Sequence, residues 1–350
     1  MEPNRWKAFD MAIIGRAPDL SIIIVNWNSL DYLRGCLESL RHGSEETIVE
    51  VIVVDNQSTD GSREALMGGE FPDVKLLVPE RNLGFVRANN LGASVANGRH
   101  FLFLNPDTVV KGDALAIMTR ALDENPGMGI VGCELRNGDM TLQTTCVQPF
   151  PTLTNQLLGA DVLRKIFSSP SLWGNAVLYE PPDQRPKPVE VVCGACLMIR
   201  KNLFRDLGGF SRDYFMYAEE VDLCYAAAKV GWQVGYIGSA SVVHYGGQSS
   251  RQVRKSSFAD VLIASSVFTF FKKSKGTPYA TLYRLGQAIS GVCRLVVIGL
   301  GYLPIWCVRK RDTDLLRSAG VKWVGITRWA IGLEPWTQQL IRDVEQHQAT

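Results

Sequence analysis

Short apolar runs alternate with helix-like runs from residue 21 to about residue 151, and this alternation limits the possible folds most strongly. Buried-strand patterns occur at residues 21–25, 49–54 and 101–104. Between them lie runs whose apolar residues repeat every three or four positions, which predicts helices. Nearly continuous apolar strands separated by helices are typical of a parallel sheet covered on both faces. The sequence therefore predicts an α/β fold, with a mainly parallel sheet flanked by helices.

The chain has three further parts. Residues 149–188 are rich in proline and lack periodicity, which predicts a long loop or insertion. Strand patterns return at residues 189–199 and, as two short strands, at 233–237 and 241–244. From residue 256 they disappear and helix-like runs dominate. We therefore expect an N-terminal extension over residues 1–20, an α/β domain over 21–255 and a helical C-terminal extension over 256–350.

Charge and cysteine content narrow the class of protein. The formal net charge is +2, so it gives no indication of nucleic-acid binding. No apolar run of signal-peptide length follows a basic start, so we expect no secretory signal and a cytoplasmic chain. The eight cysteines are scattered, which is typical of reduced, buried thiols.

Cys193-Gly194-Ala195-Cys196 has the spacing of half a zinc site, but no second pair follows it in the sequence. The interpretation that we favour is a strand with small residues beside a group that needs room.

Several common ligand-binding motifs are missing from the places in the sequence where they would bind a ligand. No Gly-x-Gly-x-x-Gly follows a strand, which argues against a dinucleotide-binding fold. The absence of Gly-x-x-x-x-Gly-Lys-Ser/Thr excludes a P-loop, and there is no Gly-x-Ser-x-Gly elbow. Ligands of open parallel sheets bind beyond the carboxyl ends of the strands, where Asp55, Asp60 and Asp107 are expected.

Asp55 begins a polar loop that runs to Gly61 after a buried strand. A carboxylate there can accept the imide N–H of uracil or thymine. The alternative is a turn in which Ser58 or Asp60 caps a helix. The residues alone leave both interpretations open.

Asn105-Pro106-Asp107 ends the most hydrophobic strand of the domain. Mg²⁺ and Mn²⁺ typically take one or two carboxylates together with phosphate oxygens, and Asp107 can supply one of them. The alternative is an ordinary turn between a strand and a helix.

Glu219-Glu220-Val221-Asp222 opens a predicted helix. Acidic residues in a first turn are stabilised by the helix dipole, which is a structural explanation. The stretch also follows Tyr214-Phe215-Met216-Tyr217, which can form an apolar surface. A carboxylate against such a surface has a raised pKa and can serve as a base.

Taken together, these pieces resemble glycosyltransferase family 2, with its GT-A fold, over residues 21–249. The nearest branch resembles the rhamnosyltransferase-like enzymes of polysaccharide assembly. The resemblance rests on seven elements that occur in order. They are Ser21 to Asn28, Val54 to Asp60, Asn82 to Phe85 with Asn89-Asn90, Asn105-Pro106-Asp107, Gly194-Ala195, Gly208 to Phe210 with Phe215 to Asp222, and His244 to Gly247.

The resemblance implies a donor site at the strand ends. Asp55 would hold the pyrimidine base of a UDP- or dTDP-sugar, with the main chain near Asn26 and Trp27 beside it. The remaining donor-binding positions are Asn82, Gly84, Asn89 and Asn105.

The resemblance also implies the metal and catalytic residues. Asp107 would bind a Mg²⁺ or Mn²⁺ ion that bridges the donor diphosphate, and His244 would reach the diphosphate or the metal. Glu220 would be the general base, with Glu219 and Asp222 beside it. One attack on the face opposite the leaving group would invert the anomeric centre. The acceptor would be a hydroxyl of a glycan or a lipid-linked molecule in cell-surface polysaccharide synthesis, with residues 149–188 on the acceptor side.

Two departures from the family pattern stand out. The metal motif often has two aspartates, and here Asp107 is its one acidic residue. Many relatives have an arginine four positions after the acid that matches Asp222, and here that position is Ala226.

Two other functions stay open. A nucleotide-sugar pyrophosphorylase would need a glycine-rich loop with a basic residue after the first strand, where this chain has Trp27-Asn28-Ser29. A pseudoenzyme or membrane scaffold could keep the donor pocket without catalysis, although Asp107 and Glu220 are both present.

The C-terminal region predicts an interfacial helix on the cytosolic face of a membrane. Residues 285–308 are apolar apart from Arg294, and the uncharged part is shorter than the ~20 residues needed to span a bilayer. In this interpretation Arg294 stays at the headgroups while the apolar face inserts. Basic residues around the segment and tryptophans at 306, 323, 329 and 336 suit an interface. The alternatives are a packed helical subdomain or dimer contact, and a true span.

Overall fold

The computed structural model describes residues 17–42, 47–157, 185–246, 257–308 and 314–334, with the backbone alone for 42, 301–308, 314 and 315. The described residues form two units. The first contains those up to Phe150, from 185 to Ser211, and from Glu219 to 246. The second contains 151–157, Arg212–Ala218 and those from 257 to 334. Most of the proline-rich segment and the expected boundary near residue 255 lie outside the described residues.

The helices and strands follow the predicted alternation. The strands are β1 (Leu20–Asn26), β2 (Val49–Asp55), β3 (Val74–Leu77), β4 (His100–Leu104), β5 (Thr108–Lys111), β6 (Met128–Arg136), β7 (Val147–Gln148), β8 (Lys187–Val189), β9 (Val191–Val192), β10 (Cys196–Arg200) and β11 (Gln233–His244). The helices are α1 (Leu30–His42), α2 (Ser62–Met67), α3 (Gly84–Ser94), α4 (Ala114–Glu124), α5 (Leu153–Leu157), α6 (Lys201–Asp206), α7 (Glu219–Lys229), α8 (Phe258–Lys275), α9 (Thr277–Val308) and α10 (Asp314–Ala330).

One large sheet organises the first unit, in the strand order β3-β2-β1-β4-β10-β6-β11-β5, with β8 also paired to β11. β1 to β4, β6 and β11 run in one direction, while β5, β8 and β10 run in the other. β7 and β9 form a small separate antiparallel pair. The prediction of a mainly parallel sheet flanked by helices, with a helical C-terminal region, is confirmed.

The apolar pattern explains why the sheet is internal. β1 and β4 are buried along their whole lengths, which requires cover on both faces. Helix α1 supplies part of that cover, because Leu33, Leu37 and Leu40 lie on one face at helical spacing and are fully buried.

Two strand predictions were wrong in detail. The run from 189 to 199 is not one strand, because its parts pair with different strands. β8 pairs with β11, β9 pairs with β7, and β10 lies between β4 and β6. A turn at Gly194-Ala195 separates β9 from β10. Conversely, the two short strands expected at 233–237 and 241–244 form the single strand β11, whose register shifts between Ile237 and Ser241. A bulge at this shift lets one strand continue where we expected two.

The second unit packs α8, α9 and α10 together, and Arg294 and Trp329 make contacts inside it. The Arg294 guanidinium lies 4.1 Å from the centre of the Trp323 ring and donates to the Leu157 carbonyl at 3.2 Å. Trp329 is 5% exposed. The expectation that Trp329 lies at an interface was therefore wrong, whereas the position of Arg294 relative to lipid headgroups stays a prediction. None of the helices in the described ranges is long and apolar enough to cross a membrane.

Candidate active site

Asn26 and Asp55 end neighbouring parallel strands and are paired in the sheet register. The Asn26 Nδ2 donates to Asp55 Oδ1 at 3.2 Å and to Ser58 Oγ at 3.1 Å. The Ser58 backbone N–H donates to Asp55 Oδ2 at 3.1 Å, and Arg63 Nε lies 3.7 Å from the same oxygen. Asp55 is completely buried. A carboxylate has about four acceptor positions, so Asp55 can accept one more N–H, from a nucleotide base. Because Asp55 is completely buried, a nucleotide base can contact it only if the neighbouring loop moves.

Asp60 has a structural role in this loop, although the N-cap residue of α2 is Gly61 and not Ser58 or Asp60 as the structural alternative had it. Its Oδ2 accepts the Leu30 backbone N–H at 2.8 Å, at the start of α1. Its Oδ1 accepts the Ser62 N–H at 3.1 Å, at the start of α2. One carboxylate therefore accepts a backbone N–H at the start of each of two helices. Trp27, which directly follows the last residue of β1, is half-buried.

Asn56 ties the loop after β2 to the start of α3, although sequence reasoning did not single it out. Its Nδ2 donates to Asn82 Oδ1 at 2.8 Å, and its Oδ1 accepts the Leu83 N–H at 2.8 Å. The Gly84 N–H also donates to Asn82 Oδ1, at 2.8 Å, and Gly84 has a φ of 72°, which favours glycine. Asn82 and Gly84 are thus brought together with the Asp55 loop. Asn89 is buried further along α3 and donates to the Phe85 carbonyl.

Asn105, Asp107 and His244 converge between β4 and β5. β5 pairs with the end of β11, so that His244 lies opposite Thr108. His244 Nε2 lies 3.4 Å from Asp107 Oδ1 and 3.4 Å from Asn105 Nδ2. The Tyr245 N–H donates to the Asp107 carbonyl at 3.0 Å, which holds the two segments together.

This donor set fits a divalent cation that keeps other ligands. A carboxylate oxygen and an imidazole nitrogen face each other, and Asp107 is only 5% exposed. Across the described residues, no cluster of three or more His, Cys, Asp and Glu side chains could hold a metal ion. Mg²⁺ typically uses one or two protein carboxylates together with substrate phosphates and water, so two protein donors match that mode.

Glu219 and Glu220 begin α7, and they have different surroundings. Glu219 is 5% exposed, and its Oε2 has no hydrogen-bond partner. Burial, followed by the charge of Glu220, raises the pKa of Glu219 well above its usual range. Burial also raises the pKa of Glu220, which is half-buried. Glu219 therefore holds a proton more firmly, and Glu220 is the more accessible carboxylate. Asp222 is half-buried one residue beyond Val221.

The backbone immediately before α7 is strained. Tyr217 and Ala218 have φ values of 70° and 62°, in the left-handed region that residues with a Cβ avoid. Such conformations cost about 1–3 kcal/mol each and cluster at functional sites. Within the second unit, the Ser266 hydroxyl donates to the Met216 carbonyl at 3.0 Å. The apolar surface expected beside Glu220 stays a prediction.

The Cys193–Cys196 segment forms the turn before β10. The Ala195 carbonyl accepts the Asn105 N–H at 3.0 Å, and a Cβ added at Gly194 would lie 3.5 Å from the Glu220 Cβ. The fold does bring a second cysteine pair, Cys133 and Cys146, close to the first, which the sequence spacing did not reveal. Within the described chain, however, the four thiols do not form a group that could bind a metal.

Known proteins of similar sequence identify the family of this chain. The model of the family "Glycosyl transferase family 2" matches residues 21–208. The N-acetylglucosaminyl-diphospho-decaprenol L-rhamnosyltransferase of Mycobacterium tuberculosis (strain ATCC 25618 / H37Rv) is 29% identical over 242 residues, which cover 66% of this chain and 77% of that protein. The rhamnosyltransferase WbbL of Escherichia coli (strain K12) is 23% identical over 255 residues, covering 68% of this chain and 87% of that protein.

Among solved structures, the mannosyltransferase PcManGT from Pyrobaculum calidifontis, in complex with GDP-Man and Mn²⁺, aligns with a TM-score of 0.53 and 15% identity, over 91% of this chain and 88% of that chain. This likeness shows the fold alone, and it confirms the GT-A-type architecture. Since the family model spans more than half of the 350 residues, the chain belongs to glycosyl transferase family 2, and it is similar to the rhamnosyltransferases of that family.

Proposed function

We propose that this glycosyltransferase moves a sugar from a UDP- or dTDP-sugar to an acceptor hydroxyl with inversion at the anomeric carbon. The observation that carries the proposal is the pairing of Asp107 Oδ1 and His244 Nε2 at 3.4 Å. In the same unit, Glu220 presents a half-buried carboxylate at the start of α7. Asp107 and His244 can bind a metal ion that carries the donor diphosphate. Glu220 can accept the proton that the acceptor hydroxyl loses.

Asp107 and His244 would hold a Mg²⁺ or Mn²⁺ ion, with Asn105 beside them. When bound, the cation supplies Lewis-acid stabilisation of the charge that develops on the leaving diphosphate. The solved relative fold that contains Mn²⁺ supports this choice of ion for the first trials.

Glu220 would act on the acceptor. As the acceptor oxygen bonds to the anomeric carbon, the bond from that carbon to the diphosphate oxygen breaks, and the hydroxyl proton passes to the Glu220 carboxylate. A positioned base of this kind typically contributes ~10²–10⁴-fold to the rate. Burial and the charge of Glu220 raise the pKa of Glu219, so Glu219 keeps its proton. Glu220 is then the ionised carboxylate of the two.

Asp55, with the main chain near Asn26 and Trp27, would hold the pyrimidine base. The donor we favour first carries rhamnose, because two similar proteins are rhamnosyltransferases. The acceptor we favour is a lipid-linked glycan of cell-surface polysaccharide synthesis, because the mycobacterial relative is a rhamnosyltransferase of N-acetylglucosaminyl-diphospho-decaprenol.

The test is to incubate the protein with dTDP-rhamnose or UDP-sugars, Mn²⁺ or Mg²⁺, and a polyprenyl-diphosphate-linked sugar. We expect release of nucleoside diphosphate and a product with inverted anomeric configuration. Release of nucleoside triphosphate with added pyrophosphate would indicate a pyrophosphorylase. Binding of the donor without any turnover across these acceptors would favour the pseudoenzyme.

We also propose that α9 attaches the protein to the cytosolic face of an anionic membrane. Seven large apolar side chains along α9, which we call the α9 stripe, are all more than half exposed and repeat mostly every three or four residues. They are Leu282, Leu285, Ile289, Val292, Val296, Val297 and Leu300. The stripe is ~27 Å long at 1.5 Å per residue.

The charges of α9 lie away from this stripe. Arg284 donates to the Ala330 and Trp329 carbonyls at 3.0 Å each, and Arg294 stacks on Trp323. An uncharged apolar face of this size suits insertion into the headgroup boundary of a lipid surface. The exposed Lys272, at the end of the preceding helix, adds charge complementarity to anionic lipid.

Flotation with anionic liposomes tests the attachment. Full-length protein should float, and high salt should weaken the binding. The double variant Ile289→Asp with Val296→Asp should stay unbound, whereas Val230→Asp, at an apolar residue equally exposed in the first unit, should float normally. Unbound protein that forms a dimer broken by the double variant would show instead that a second copy covers the stripe.

A further inference from the structure

A continuous chain of hydrogen bonds runs from Asp139 to His244 in the first unit. The Thr141 hydroxyl contacts Asp139 Oδ1 at 2.5 Å, and Asn137 Nδ2 lies 2.9 Å from Thr141 Oγ1. Gln143 Nε2 lies 3.2 Å from Asn137 Oδ1, and Gln143 Oε1 lies 2.8 Å from His244 Nδ1. None of the first four residues belongs to the motifs that identify the family.

The direction of every hydrogen bond in this chain follows from its acidic end. An ionised carboxylate only accepts, so Thr141 must donate its proton to Asp139. Thr141 Oγ1 then accepts from the Asn137 amide N–H, which leaves Asn137 Oδ1 to accept from the Gln143 amide N–H. Gln143 consequently presents its carbonyl oxygen to His244, whose Nδ1 must carry a proton and donate it.

A neutral imidazole with its proton on Nδ1 has its lone pair on Nε2. In this protein Nε2 is the nitrogen that lies 3.4 Å from Asp107 Oδ1. In this neutral tautomer, two acceptor atoms face each other with no proton between them, an arrangement that a cation relieves. Histidines that ligate metals are held in the same manner by a partner on the opposite ring nitrogen.

We propose that Gln143 is a positioning residue of the metal site, which fixes His244 in the tautomer whose Nε2 lone pair faces Asp107. This inference rests on the proposed metal site. The backbone of Gln143 is fixed beside β6, because its backbone N–H donates to the Leu135 carbonyl at 2.8 Å. The side-chain amide is therefore held at a defined position relative to His244. On the other side, a Cβ at Gly246 would lie 3.7 Å from Gln143 Nε2.

The test combines Mn²⁺ titration by calorimetry with nitrogen-15 NMR of the imidazole rings, of which the chain has four. Gln143→Leu keeps approximate volume but cannot accept a hydrogen bond. We expect it to weaken Mn²⁺ binding by ~10–100-fold and to move the His244 proton from Nδ1 to Nε2. Gln143→Glu can still accept from Nδ1, and we expect it to keep the tautomer and most of the affinity. Gln148→Leu, five residues away on β7, is the matched control and should behave as wild type.

The two proposals fail in distinguishable ways. If the wild-type protein binds no Mn²⁺ or Mg²⁺, the metal site itself is wrong, and the NMR measurement still reports the tautomer. If Gln143→Leu folds and binds Mn²⁺ as tightly as wild type, or if wild-type His244 carries its proton on Nε2, the role of Gln143 is refuted while the metal site stands.

Discussion

Replacing Glu219 by glutamine should stabilise the protein at neutral and alkaline pH. The Glu219 carboxyl is 5% exposed, its Oε2 lacks a partner, and burial together with Glu220 raises its pKa well above the usual range. Below the unfolded-state pKa, both the folded and unfolded chains carry the proton. As the pH rises toward the folded-state pKa, the unfolded chain loses the proton and the folded chain keeps it. The free energy of unfolding therefore falls with rising pH.

The magnitude follows from linkage. Each pH unit in this window lowers the free energy of unfolding of wild type by up to ~1.4 kcal/mol, which Glu219→Gln avoids. For a domain of this size the difference corresponds to a melting temperature ~3–6 °C higher per pH unit. Thermal unfolding is compared at about pH 5 and about pH 8, with Glu80→Gln, an exposed glutamate, as the control. A melting-temperature difference between variant and wild type that is the same at both pH values would refute a protonated Glu219.

Three further predictions follow from the site and the sheet. Glu220→Gln should lower kcat by ~10²–10⁴-fold and leave donor binding intact in calorimetry, and Glu219→Gln should have a smaller effect; the reverse order would make Glu219 the base. Asp107→Ala should remove metal-dependent turnover with a normal circular dichroism spectrum, and a normal rate with Mn²⁺ would contradict the assignment. Gly132→Ala should lower the free energy of unfolding by ~1–3 kcal/mol in denaturant titrations, because its Cβ would lie 2.5 Å from that of Val192, whereas Gly127→Ala, with open space, should be nearly neutral.

The sequence predicted the parallel part of the sheet well because local pattern determines it. β1, β2 and β4 are short and apolar, so a run of consecutive apolar residues is enough to predict that both faces of each strand are buried. β10 could not be predicted in the same way. It inserts antiparallel between β4 and β6, and that pairing depends on long-range contacts that a local apolar pattern does not encode.

The candidate site divides along the same line. Asp55, Asp107 and Glu219-Glu220 were predictable because they follow strands or open a helix, where position in the chain indicates position in the fold. Gln143 lies 101 residues from His244 and carries no local signal, so the contact between them became visible only with the strands assembled. Similarly, the fold rather than the spacing brought Cys133 to Cys196.

The insertion of late strands beside β6 has a consequence for biosynthesis. β6 ends at Arg136, whereas one of its neighbours, β10, begins at Cys196 and the other, β11, begins at Gln233. A ribosome that adds ~5–20 residues per second needs roughly 5–20 s to proceed from β6 to β11. Until β10 has been made, the nascent chain carries an apolar strand with two unpaired edges, and one edge stays unpaired until β11 follows; an unpaired strand edge is a template for aggregation. Efficient production of this enzyme should therefore depend on chaperones that cover the growing chain until residue 244 has emerged.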